Sequence, residues 1–111
     1  MPKLLDRSER DIVRWLRDLR DSRIVRMTLL KMQGHLGEFD EIVMSDLELA
    51  GDLEISADGM ESLGKIQGLS VIGAVENLRL AAEIYKRRST TGLSLETTIR
   101  NIRNNRDKVA G

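Results

Sequence analysis

Cysteine is absent from this chain, which excludes disulfides, thiolate metal sites and cysteine nucleophiles together. Aromatic residues make up only 3% of it, so a core must be filled by Leu, Ile, Val, Ala and Met. Sandwiches and barrels draw more heavily on aromatic and β-branched residues, so this composition predicts helices packed on helices. Histidine occurs once, at His35, with no second His or Cys beside it to complete a metal site. A partly solvated turn residue is the expectation there, and no cofactor is expected. Long apolar runs are missing too: "GLSVIGAV" is far too short to span a membrane. The opening "MPKLLDRSER" lacks the unbroken apolar segment of a secretory signal. A soluble cytoplasmic protein without membrane contact is the expectation.

What is present suffices for one domain. The chain has 111 residues, 41% hydrophobic and 32% charged, enough to bury a modest core without staples. Its formal net charge is zero, but the charges are unevenly placed. Residues 1–31 hold nine Lys/Arg against five Asp/Glu, residues 32–64 hold nine acids and no base, and residues 65–111 hold nine bases against four acids. The order is basic, acidic, basic.

Helical spacing dominates. Ser8 stands three residues before Asp11, as a capping residue does, and Ile12, Trp15, Leu16 and Leu19 form a stripe over residues 8–22. Within it Asp6 and Arg10, Arg7 and Asp11, Arg14 and Asp18, and Arg17 and Asp21 are each four apart, the spacing of surface ion pairs. The stripe continues at Ile24, Thr28, Leu29 and Met32, and Gly34 with Gly37 marks an end and a turn. Residues 45–56, "SDLELAGDLEIS", allow two structures. Leu47, Leu49, Leu53 and Ile55 alternate as in strands, yet Ser45 and Glu48 have capping-box spacing, and Phe39, Ile42, Val43, Leu47, Ala50 and Leu53 follow a helical stripe. The longer pattern predicts a helix over 38–50 stopped by Gly51, then either a short extended piece near 52–56 or a last irregular turn. "ADG" at 57–59 predicts a turn, with Asp58 and Glu61 opening a short helix that ends near Gly68. Residues 69–88 predict a helix broken by "STTG", and Ser94 caps a last one carrying Leu95, Ile99 and Ile102. The predicted architecture is a single mostly α bundle of five or six helices.

Chemical motifs fail on inspection. An EF-hand loop begun at Asp46 has Ala50 and Ala57 where oxygen ligands are required, and one begun at Asp52 has Ala57 where its glycine belongs. Gly64, Gly68 and Gly73 match no phosphate loop, and G-x-S-x-G is absent. "VMSDLELAGDLEI" is similar over a dozen residues to the D-x-S-x-x-G stretch of PilZ-type cyclic-dinucleotide receptors, with Asp46 and Gly51 at matching ends. Glu48 stands where that family has serine, and "RDSR" lacks its arginine spacing. No pair of carboxylates is singled out as acid and base, so a non-enzymatic role is the expectation.

Charge segregation then carries the functional expectation: a small assembly or adaptor protein that selects partner subunits, or further copies of itself, through a basic and an acidic helical surface. The basic candidates are Arg20, Arg23, Arg26, Lys86, Arg87, Arg88, Arg100, Arg103 and Arg106. The acidic ones are Glu38, Asp40, Glu41, Asp46, Glu48, Asp52 and Glu54. Trp15 and Phe39 are either apolar anchors or core. The competing expectation is a nucleic-acid-binding small subunit of a ribonucleoprotein or DNA-associated complex, since "TTIRNIRNNRDKVAG" interleaves Arg with Asn.

Overall fold

In a computed structural model, residues 3–34, 45–68 and 70–110 are described, with the side chains of 26–28, 30–34 and 107–110 left out. Four α-helices follow a 3-10 turn at Leu4–Asp6: α1 (Glu9–Gly34), α2 (Asp46–Gln67), α3 (Ile72–Thr91) and α4 (Leu95–Ala110). No strand occurs among the described residues. The mostly helical expectation holds, with four α-helices among the described residues in place of five or six.

The starts are where the caps predict them. Ser8 Oγ accepts from Asp11 N–H, Ser45 Oγ from Glu48 N–H and Ser94 Oγ from Thr97 N–H, each at 3.2 Å. The stops use glycine in the left-handed region: Gly68 (φ 68°) closes α2, and Gly92 (φ 69°) closes α3 by donating to the Arg88 carbonyl at 2.8 Å. α3 therefore runs past the predicted break at Ser89, because Thr90 and Thr91 bond their hydroxyls back onto the Lys86 and Arg87 carbonyls.

α2 differs most from expectation. It passes through Gly51 and Gly59 without interruption, so there is no extended segment at 52–56 and no turn at 57–59. Each interior glycine costs about 1 kcal/mol relative to alanine. Burial outweighs that cost: Leu49, Ala50, Leu53, Ala57 and Gly64 are all buried on the face that packs along α3. Asp58, expected to open a helix, lies inside one. The 38–44 part of the predicted helix, His35 and Phe39 lie outside the described residues.

α2 and α3 form a hairpin, and α4 packs against both α3 and α1. The core joins Ile12, Val13 and Leu16 of α1 to the α2 set, to Val75, Leu78, Ile84 and Tyr85 of α3, and to Leu95, Ile99 and Ile102 of α4. Trp15 packs partly buried against this core rather than standing free as an anchor. Two buried polar contacts fix the helices' register. Tyr85 Oη donates to the Leu16 carbonyl at 2.6 Å, and Asn77 Oδ1 accepts from Leu4 N–H at 2.9 Å.

Candidate interaction surface

The basic and acidic stretches of sequence meet inside the chain. Asp46, in the first turn of α2, receives Arg20 of α1 at 2.9 Å and Arg88 of α3 at 3.5 Å. The Arg20 guanidinium also stands 6.0 Å from the centre of the Tyr85 ring. Arg23 reaches Asp52 at 3.3 Å. These contacts make the N-terminal half of α2 an electrostatic clasp for α1. Asp46 is only 18% exposed and the Arg20 side chain 27%, so the pair is screened less than a fully wet one. Replacing Asp46 with Ala is expected to destabilise the fold by about 1–2 kcal/mol, because two guanidiniums then face each other without their counter-ion. Urea denaturation at low and high salt checks this, and the loss is expected to shrink with salt.

The carboxy-terminal arginines are also engaged. Arg100 makes a bidentate pair with Glu9 at 2.8 and 2.9 Å, which raises its pKa further and keeps the guanidinium charged. Arg103 donates from Nη2 to the carbonyls of Leu5 and Arg7, clamping α4 onto the amino-terminal turn. Arg106 stands 3.9 Å from Asp6. Arg87 pairs with Glu83 at 2.7 Å, and Lys86 is exposed beside it. Arg17 answers Glu96 of α4 at 4.0 Å, rather than Asp21 four residues on. Arg26 lies within α1 with its side chain outside the described set, and Glu38, Asp40 and Glu41 fall wholly outside it.

Between α2 and α3 runs a charged cleft of about 720 Å³, lined by Glu54, Asp58, Arg79, Glu83, Lys86 and Arg87. Arg79 bridges its floor, donating to Asp58 and lying 2.9 Å from Glu61; the hydrogen bonds to these two carboxylates raise its pKa. Opposite charges alternate there, with no nucleophile held beside a base. Among the described residues no group of three His, Cys, Asp or Glu is placed to hold a metal ion, and no helix is long and apolar enough to cross a membrane.

The conspicuous surface is apolar. On α2, Ile55 is 73% exposed, Leu63 54% and Ile66 82%. At 3.6 residues per turn, Ile55 and Ile66 lie eleven residues and three turns apart on one line, opposite the buried Leu49–Leu53–Ala57 face. Gly59 and Ser62 lie between them, and a Cβ added at Gly59 would meet nothing within 4 Å. Glu48 is exposed at the N-terminal end of the same line, and Glu54 flanks it. Sequence reasoning missed this face because a helix stopped at Gly51 never brings Ile55 and Ile66 onto one wheel. The signal was present, since an unbroken wheel over 46–67 shows both stripes.

Comparison with family models, curated proteins and solved structures found no match for this chain.

Proposed function

We propose that this protein is a non-enzymatic assembly module, joining subunits through the outward face of α2. The observation that carries the reading is the pair Ile55 and Ile66 with Leu63 on their flank, branched aliphatic side chains exposed on the side of a helix whose other side is packed. Exposed aliphatics are ordinary singly, but three on the outer side of one helix, with an acidic rim, mark an association surface. Its partner is an apolar helix face that brings a cation to this rim, where Glu48 and Glu54 have no ion-pair partner among the described residues. Charge still contributes to partner choice, at the rim rather than as two opposed territories. Asp46, Asp52, Arg20, Arg23 and Arg88 bind one another within the chain and hold the face in place.

The reading is tested by recovering the tagged protein from the cells that express it, alongside an Ile66→Asp form. Ile66 is so exposed that this change leaves the fold intact, within about 0.5 kcal/mol. The native complex is expected to be lost. Retention of every subunit by Ile66→Asp would refute the proposal. Binding of the isolated protein to nonspecific DNA or RNA that weakens steeply across a salt series would favour the nucleic-acid reading instead.

A further inference from the structure

The structure assigns an occupant to the outer α2 face: a second copy of the same helix, crossing antiparallel about a twofold axis that passes between Met60 and Glu61. This inference rests on the assembly reading above and names its partner. A twofold interface must be complementary to itself, the same patch serving both sides. The face of α2 meets that condition. Its outermost positions are Ile55, Gly59, Ser62 and Ile66, separated by four, three and four residues, an order unchanged when the helix is reversed. Laid antiparallel, Ile55 of each copy meets Ile66 of the other, and Gly59 meets Ser62 at the crossing. Large meets large at both ends and small meets small where the backbones come nearest.

Charge selects the same register. In an antiparallel pair of identical helices each flank faces its own counterpart. One flank of the α2 line carries Glu54, Asp58 and Lys65. The proposed axis sets Lys65 level with the partner's Ser56, between the partner's Glu54 and the partner's Asp58. Among the described residues Lys65 pairs only with Glu61, 3.5 Å away, and its side chain is 78% exposed. Glu54, without a partner of its own among the described residues, gains one. On the other flank Leu63 falls beside the partner's Gly59, whose surface is open space. The interior glycine, which costs the isolated helix stability and touches nothing in its own chain, thereby gains a packing role.

Sedimentation equilibrium on the full chain is expected to give twice the 12.6 kDa chain mass. Ile55→Asp and Ile66→Asp are expected to weaken dimerisation by at least about a hundredfold, since each change places two charges in the contact. Their far-ultraviolet circular dichroism should match the parent. Charge reversal reads the register: Lys65→Glu alone and Glu54→Lys alone each weaken the dimer by about tenfold, and an equimolar mixture of the two restores it. A single mass of 12.6 kDa at millimolar chain concentration overturns the inference. So does failure of the mixture to recover while each variant alone is weakened. If the chain is monomeric yet Ile66→Asp strips a different subunit from the native complex, the second-copy inference falls and the assembly reading stands. If it is monomeric and Ile66→Asp strips nothing, both fall.

Discussion

Replacing Tyr85 with alanine is expected to remove about 3–5 kcal/mol of stability. Tyr85 is completely buried on α3, and its ring fills the space where α1, α2 and α3 converge. Its hydroxyl is the only tyrosine hydroxyl in the chain and sits on the Leu16 carbonyl. Tyr85→Phe keeps the ring and removes that bond, with an expected cost of about 1–2 kcal/mol. The two variants separate packing from hydrogen bonding at one site. Alkaline pH gives an independent check. Burial pushes the Tyr85 pKa up to about 12, with Arg20 pulling against it and Asp46 adding to it. The native state thus holds this proton more tightly than the unfolded chain, whose tyrosine titrates near 10. The stabilisation is complete below pH ~10 and lost as the pH rises from about 10 to about 12. The gap between the parent and Tyr85→Phe is expected to close over that window and then change sign, since up to about 2–3 kcal/mol is lost from the parent alone. Denaturant titrations at stepped pH measure it, and a gap that stays constant would contradict the assigned burial.

The second large effect tests how α2 is built. Leu53→Ala is expected to cost about 2–5 kcal/mol, because Leu53 is wholly buried against α3 and its loss leaves a cavity. Ile55→Ala, two residues away, is expected to change the stability of the dilute monomer by less than about 0.5 kcal/mol. In a strand these two side chains would share a face and respond alike. In the helix they point apart. Urea midpoints of the two variants, measured below the concentration at which the chains associate, decide the matter. Equal losses would mean that α2 is not helical through this stretch.

Much of the fold is legible in the residues because it is local. Ser8, Ser45 and Ser94 mark helix starts by chemistry within one turn, and Gly92 marks a stop for the same reason. Gly51 and Gly59 show where legibility ends. Their propensity argues for a break, but whether one forms depends on how much of Leu49, Leu53 and Ala57 is buried by α3, and α3 lies downstream in the chain. Charge is harder still. Four-residue spacing offered Arg17 a partner in Asp21, whereas the folded chain gives it Glu96 of α4, and Arg100 is taken by Glu9 from the other end of the chain. Segregation along the sequence likewise says nothing of distance in space. Arg20, Asp46 and Arg88 come from three different charge blocks and stand together at one point.

The clamp between the first and last helices has a consequence for the order of synthesis. Leu5 and Arg7 are gripped by Arg103, and Glu9 by Arg100, so the amino-terminal turn finds its final neighbours only when α4 arrives. A chain leaving the ribosome holds Ile12 and Leu16 in hand while the hairpin of α2 and α3 assembles from contacts nearer in sequence. Nascent chains stalled short of α4 should carry that hairpin with α1 already held through Tyr85 and Asp46, and with the Leu4–Asp6 turn still unclamped. The arrival of α4 then closes that end of the molecule in one step.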